Sequence, residues 1–551
     1  MGSYSVPQAV RDLRPANIDC MVKNIKGYFY VYERKSVPDP RHPGRIKKIS
    51  GPCIGKIEGG AFVSNKASDK PGILFIDPEI KDYGEYAASL ACSSEIYDSL
   101  LRHFNIDDAT LIYALAIVYF VNGYTPASYV KDIFDESVLS NRWPTIPLSE
   151  NKVGEFLEAL GRHRTTAERF EQELIDKGSK LFAIDGHVIL CCSRQNDLAD
   201  YGNKYVRLGN TQMNLMVVFD VEKNHPLTCK AFDGGLPDKS AVKDVFNAYK
   251  FKGVTFIVDM GFYSEENLAL YRKNDNHFVI PVPDNTVIAK TIKRDISFTG
   301  SFQYSKGNDP RTVRNATILF RETTVSALED TAQKYLDEEA AEKNAEAAKA
   351  AGEGRKPRRY YARKIPRSEN GSDRVIMFRD EEMHDKLVEE FRSQIGQDDV
   401  HTMERLEELQ DSFGLIILRT EKSAEPADVY GTYKKRWKIE THYNHVRNGV
   451  DFNGLHEQNY YTQQGISFVL LIEGLIYSRF ISKLKDSSSG YVKNLSVKEC
   501  TKKAAHLKLA RHQDGHWYIS TPKKRTLQLL EALGVSLEDD LKKLNNHVYG
   551  S

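Results

Sequence analysis

Tyr433, Arg436, Glu440 and Arg447 lie within the stretch YKKRWKIETHYNHVR. At about 100° per residue these four positions fall within roughly 60° of one another on a helix. A solvated helix face usually alternates Glu and Lys one turn apart, whereas this one sets a single carboxylate among cations and a phenol. That pattern suits an anion or a metal ion. Two further acids stand out by placement: Asp185 interrupts the apolar run KLFAIDGHVIL, and Asp259 closes the run GVTFIVD. A carboxylate inside a buried strand costs several kcal/mol unless something compensates it. Coordination of a divalent cation is one compensation. Three carboxylates at a sheet edge form a hard, oxygen-rich site for Mg²⁺ or Mn²⁺, and a pair of such ions supports phosphodiester displacement. Taken singly, each acid also fits a turn or capping role.

The elements that must position these acids can be read from periodicity. Strands are expected at Lys180 to Leu190, Met213 to Asp220, Leu227 to Asp233, Gly253 to Asp259 and His277 to Pro283. Helices are expected at Lys239 to Tyr249, capped by Asp238, and after Ser264, where Glu265 and Glu266 suit the positive first turn. The order β-β-β-α-β-α-β predicts an antiparallel meander continuing into a right-handed parallel half, with the strands of Asp185 and Asp259 as neighbours. Upstream, Tyr28 to Val63 reads as a small antiparallel β unit. Short helices follow at Tyr97 to Phe104, Asp108 to Asn122, Pro126 to Phe134 and Glu150 to Gly161, the last capped by Ser149. Downstream of the fifth strand, Ser326 to Ala350 is polar all round and reads as a solvated helix. Beyond it come VIMF, a helix around Asp385 to Arg392, the strand Phe413 to Thr420, an apolar helix near Gly465 to Leu484, and an α+β tail.

With 551 residues and 41% hydrophobic content the chain has material for several cores. The expected divisions are an N-terminal β unit (1–70), a helical domain (71–175) that fits either a DNA-end-binding helix-turn-helix or a plain structural role, a first part of a catalytic core (176–284), an insertion (285–424), a second part of the core (425–485) and a C-terminal α+β domain (486–551). Formal net charge is +1, from 77 basic and 76 acidic residues, so the overall balance does not by itself point to nucleic acid. Its distribution does. The segment RKPRRYYARKIPR holds Arg355, Lys356, Arg358, Arg359, Arg363, Lys364 and Arg367 with Tyr360 and Tyr361 and no acid, a mixture that neutralises phosphates and offers aromatic faces to bases. It also fits a solvated loop. The seven cysteines show no C-x-x-C spacing, which disfavours zinc ribbons and a secreted disulfide framework and suits a reducing cytoplasm. No signal-peptide core or membrane span is expected, because the most apolar window is interrupted by Glu473 and Arg479. His442 and His445 beside Glu440 do not follow H-E-x-x-H spacing, and packing or phosphate contact is expected of them.

In its three blocks the chain resembles the bacterial insertion-sequence DDE transposases of the RNase-H-like superfamily, in the subgroup with a Y-x2-R-x3-E-x6-K signature. Tyr433, Arg436 and Glu440 match that signature and Arg447 replaces its final Lys; Asp259 to Tyr263 resembles the D-x-G-F-Y second block, and FAIDGHVI the first. The likeness runs roughly from Phe170 to Ile481. It implies a mixed α/β core of RNase-H-like type with a β-rich and helical insertion before the Glu helix. It further implies that Asp185, Asp259 and Glu440 hold two Mg²⁺ or Mn²⁺ ions, and that Tyr433, Arg436 and Arg447 grip a phosphate near the element's end. Arg for Lys keeps the charge but substitutes a planar fork for a compact ammonium. Double-stranded DNA, as terminal inverted repeats and target, is the implied partner, and a homodimer the implied synaptic form. Some relatives pass through a DNA hairpin and stack an insertion tryptophan on a flipped base. Here Trp143, Trp437 and Trp517 all lie outside the insertion, leaving Tyr360 or Tyr361 for such stacking. The rival readings are a nuclease-only or domesticated RNase-H-like protein and a non-catalytic DNA-binding protein; an intact acid triad speaks against the last.

Overall fold

The computed structural model describes residues 6–16, 18–38, 46–65, 79–191, 196–201, 210–236, 238–307, 313–350, 359–398, 400–452, 454–455, 459–512 and 514–546. They form two compact units, Met1–Asp77 and Pro78–Ser551. The first is a four-stranded antiparallel sheet, β1 (Cys20–Ile25), β2 (Tyr28–Pro38), β3 (Ile46–Glu58) and β4 (Ala61–Ser64), joined in sequence order. Aromatic and β-branched residues alternating with polar ones, punctuated by Gly27, Gly59 and Gly60 at positive φ, account for the hairpins.

The second unit opens with β5 (Glu79–Asp82) and the helices α1 (Gly84–Leu101), α2 (Ile106–Asn122), α3 (Ala127–Asp135), α4 (Glu150–Arg162) and α5 (Thr165–Asp176). Ser149 does sit at the N-cap of α4, but its side chain makes no capping hydrogen bond. Asn105 caps α2 by accepting from the Asp108 amide at 2.9 Å. The core sheet follows: β6 (Leu181–Cys191), β7 (Thr211–Asp220) and β8 (His225–Asp233) form the meander, then α6 (Asp238–Ala248), β9 (Thr255–Val258), α7 (Glu265–Tyr271) and β10 (His277–Pro281). β6 pairs antiparallel with β7 and parallel with β9, and β9 pairs parallel with β10. The order β8-β7-β6-β9-β10 is the RNase-H-like arrangement, with the strands of the first two acids side by side.

The segment after β10 does not fold apart. β11 (Gly300–Lys306), β12 (Arg314–Thr324), β13 (Arg374–Asp380) and β14 (Leu415–Thr420) extend the same sheet, since β14 pairs antiparallel with β10 through Ile280 and Arg419. Between β12 and β13 runs α8 (Val325–Ala350), and after β13 comes α9 (Glu381–Gln394). The expectation of a helix polar all round holds only for the later turns of α8, because Val325 and Leu328 are buried in the apolar cluster under β13 and β14 and Ala332 is buried as well.

The chain then enters α10 (Pro426–Lys434), α11 (Trp437–Asn448), β15 (Gly454–Leu455), which pairs parallel with β6, and the long α12 (Tyr460–Asp486). By length and hydropathy α12 would suffice to cross a membrane, yet most of it is buried in this unit, against α4, β8, α2 and α1. Its approach to α4 is very close. A Cβ on Gly161 would lie 1.8 Å from the Tyr461 carbonyl oxygen, and one on Gly465 would lie 2.1 Å from that of Leu157. Finally β16 (Lys508–Arg511) and β17 (Trp517–Ile519) form a sheet completed by β5, followed by α13 (Lys524–Ala532) and α14 (Leu537–Asn545), whose Asp540 accepts from the Tyr83 hydroxyl at 2.7 Å.

Candidate active site

Asp185 stands midway along β6, where an otherwise apolar strand turns from fully buried to half-buried. Asp259 follows the last residue of β9 and leads into a short 3₁₀ turn, Met260–Phe262. Glu440 lies in the first turn of α11. The three elements meet around one side chain, the guanidinium of Arg436. It contacts Glu440 at 2.6 Å, Asp185 at 3.5 Å and Asp259 at 4.0 Å. Burial alone would lower the Arg436 pKa, but Asp259, Tyr433, Asp185 and Glu440 outweigh it and raise the value, so this cation is held charged. Tyr433 lies against the same group. Its pKa is pushed up by burial and pulled back by Arg436.

One expectation is corrected here. Tyr433 to Arg447 is not a single helix: α10 ends at Lys434, and α11 starts at Trp437 with Arg436 at its N-cap position. The joint is a tight turn in which the amides of Lys438 and Ile439 bond back three residues, to Lys435 and Arg436. The bend keeps Tyr433, Arg436 and Glu440 together, whereas Arg447, in the last turn of α11, is exposed and makes no ion pair among the described residues.

Several residues that periodicity did not single out hold the acids in place. Tyr443, one turn after Glu440, donates its hydroxyl to the backbone carbonyl of Asp185 at 2.6 Å, and its ring stacks on His187 at 4.9 Å. The helix of the third acid is thereby tied to the strand of the first. Asp185 Oδ1 accepts from the Gly186 amide at 2.9 Å. Behind Asp259, Arg419 of β14 is fully buried; it donates to the Tyr263 hydroxyl at 2.8 Å and pairs with Glu265 at 2.6 Å and with Asp373 at 2.8 Å. Arg272 forks onto the same Asp373 at 3.1 and 2.9 Å. The turn carrying Asp259 is therefore braced by the strands inserted after β10. The sequence signal was available, since a cation in an apolar strand demands buried partners.

The histidines take structural places. His442 is fully buried beside Phe219, and burial pushes its pKa down to about 3. His445 bonds to Glu473 of α12 at 2.6 Å and stacks on Tyr477. Among the described residues no group of three or more His, Cys, Asp or Glu side chains is gathered closely enough to hold a metal ion as it stands, because the acids are spread about Arg436. The donor set itself, three carboxylates converging on one positive charge, fits a hard divalent cation.

The basic segment runs as an extended strap along α8. Asn344 exchanges two hydrogen bonds with the backbone of Tyr360, at 2.7 and 2.8 Å. Gln333 accepts from the Ile365 amide at 2.9 Å, and Glu329 from the Ser368 amide at 3.0 Å. Glu329, Gln333 and Asn344 lie within about 60° on one face of the helix. Arg359, Tyr360, Tyr361, Arg363 and Lys364 face solvent, and the side chains of Arg359, Arg363 and Lys364 make no ion pair among the described residues. Arg355, Lys356 and Arg358 lie outside the described residues, as does Cys192.

Comparison with known proteins adds one assignment. The sequence model described as "Transposase DDE domain" matches residues 176–477, more than half of the chain. No curated protein matches it. Among solved structures, a piggyBac transposase synaptic complex with hairpin DNA resembles the chain at a TM-score of 0.36 and 10% identity, over 73% of this chain and 70% of that one.

Proposed function

Since the chain belongs to the transposase DDE domain family, we propose that it is a DNA transposase that binds the ends of its own insertion sequence, cleaves phosphodiester bonds there and joins the freed 3′-OH to target DNA. The observation that carries this reading is the convergence of Asp185, Asp259 and Glu440, from three separate elements, on Arg436. Enzymes of this family generally use divalent metal ions, and these three carboxylates are the residues that would hold them, as Mg²⁺ or Mn²⁺ and as a pair. Bound there, the ions would supply Lewis acidity to the attacking and leaving oxygens.

The remaining roles belong to the chain's own groups. Arg436 carries a forked, permanently charged guanidinium suited to a phosphate oxygen beside the scissile bond. Tyr433 packs against it and limits where it can point. Arg447, exposed at the end of α11, offers a second charge to the same backbone. The strap on α8 presents Arg359, Arg363 and Lys364 to phosphates and Tyr360 and Tyr361 to bases. Two copies of the chain would hold the two ends of the element.

The test uses oligonucleotides bearing the element's ends, with cleavage and joining scored separately in Mg²⁺ buffer. Asp185→Asn, Asp259→Asn and Glu440→Gln should each abolish both steps while leaving end binding in place. Intact cleavage in any of the three would overturn the triad. Cleavage without joining in the parent chain would make it a nuclease instead.

A further inference from the structure

The four-stranded sheet of the first unit has two unlike faces. On one, Val31 is fully buried, and the Phe62 ring lies over Gly55 so closely that a Cβ there would meet it at 2.5 Å. Phe29 and Ile57 are paired on this same apolar face. Strand alternation puts Tyr28, Tyr30 and Tyr32 of β2 on the other face. The cross-strand register places Tyr30 between Lys23 of β1 and Lys56 of β3, a Lys-Tyr-Lys row across three strands. Lys23 Nζ lies 4.7 Å from the centre of the Tyr32 ring, and Tyr28 is 67% exposed. Glu58, next on the same strand face, pairs with Lys56 at 2.5 Å.

The charge of this unit sets it apart. Residues 1–77 hold thirteen Lys and Arg against seven Asp and Glu, in a chain whose total is only +1, so the rest is net acidic. A column of three phenols at roughly 7 Å intervals, Tyr28 exposed and Tyr30 and Tyr32 half-buried, flanked by ammonium groups, matches the repeat of stacking faces and phosphate contacts that unpaired nucleotides need. A duplex keeps its bases stacked on one another and offers such a column little.

We propose that this tyrosine face is a second DNA-contacting surface, and that its occupant is single-stranded DNA. Bases stack on Tyr28, Tyr30 and Tyr32 while Lys23 and Lys56 neutralise the backbone. This takes DNA as the partner from the preceding reading but uses none of the acid triad.

The test is made on the full chain in EDTA, so that it stands apart from any cleavage chemistry, with a labelled oligothymidylate and a duplex of equal length. Tyr28→Ala with Tyr30→Ala should weaken oligothymidylate binding about tenfold or more, by the usual weight of base–aromatic stacking, with duplex binding unchanged. Tyr28→Phe should retain affinity, because the ring remains. Lys23→Gln should flatten the salt dependence by about 0.7 in log–log slope. Ultraviolet crosslinking with a bromodeoxyuridine oligonucleotide should label peptides within residues 20–38. Unchanged single-strand affinity in the folded double variant, or crosslinks confined to other segments, would overturn the proposal. Equal loss for single strand and duplex would overturn it too, and so would a shift of the chain between monomer and dimer in place of a change in DNA binding.

Discussion

Replacing Arg436 with Gln removes the one positive charge that, among the described residues, three carboxylates share, and leaves a neutral polar side chain two bonds shorter. The Arg436–Asp185 contact, at 3.5 Å, joins side chains only 19% and 17% exposed. At an effective dielectric of about 20, unit charges about 4 Å apart attract by roughly 4 kcal/mol, much of it offset by desolvation of the cation. Glu440 and Asp259 are 56% and 46% exposed, so water and salt screen their share strongly. The net loss should be about 2 kcal/mol, well above the roughly 0.5 kcal/mol typical of surface substitutions. Without divalent metal, the melting temperature of the variant should fall by about 2 °C, since a unit of this size unfolds with roughly 1 kcal/mol/K of entropy. Mg²⁺ should then narrow the gap: an ion shared by the three acids competes with Arg436 in the parent chain but not in the variant. At about 100 times its Kd an ion stabilises by roughly 2.7 kcal/mol. The variant should therefore gain more from added Mg²⁺ than the parent, read as the difference between their thermal midpoints over a Mg²⁺ titration, with Ca²⁺ as a non-catalytic control. Equal midpoints in EDTA, with parallel gains in Mg²⁺, would refute both the shared-charge description of Arg436 and the use of these acids as metal ligands.

Gly161→Ala should destabilise the chain by about 1–3 kcal/mol despite the better helix propensity of Ala, because the Tyr461 carbonyl stands 1.8 Å from the new Cβ; chemical denaturation reads it. Tyr443→Phe should cost about 1 kcal/mol of stability and also weaken Mg²⁺ binding measured by calorimetry, since it frees the strand of Asp185 from the helix of Glu440; unchanged Mg²⁺ affinity would leave Tyr443 a packing residue only. Burial raises the Glu85 pKa from 4.5 to about 7, which favours its protonated form in the fold, so its contribution is full below about pH 4.5 and is lost as pH rises to about 7. Glu85→Gln should accordingly stabilise the chain at pH 8 by up to ~3 kcal/mol and by nothing at pH 4, in thermal melts across pH. Arg363→Ala with Lys364→Ala should lower duplex affinity without sequence preference and reduce the salt slope by roughly 2.

The β-β-β-α-β-α-β core was legible because each strand is an apolar run of ordinary length and each helix has its own start signal, as with Ser264, which accepts from the Asn267 amide at 3.2 Å. The grouping of Tyr433, Arg436 and Glu440 was legible as a face, but the break between them was not. Lys435 and Arg436 keep right-handed helical angles through the turn, so the periodicity runs on unbroken. The pairing of β14 with β10 joins positions about 140 residues apart, which no local pattern encodes. The same holds for β16 with β5, at the two ends of the second unit. Periodicity does not single out Tyr443, and only the fold shows its hydroxyl reaching the carbonyl of Asp185.

The shared sheet makes the segment between β10 and α10 a poor candidate for exchange. A cassette that merely bridged Val282 to Pro426 would bare the β10 edge, which β14 now covers, and strip Glu265 and Tyr263 of their only guanidinium among the described residues. Any transplant must bring an antiparallel border strand with an arginine opposite Ile280 and an acid to match it. Variation in this segment is thus least bounded at the strap, and tightly bounded where Phe302 and Tyr304 of β11 pack on Tyr430 of α10 and where β14 meets the turn of Asp259.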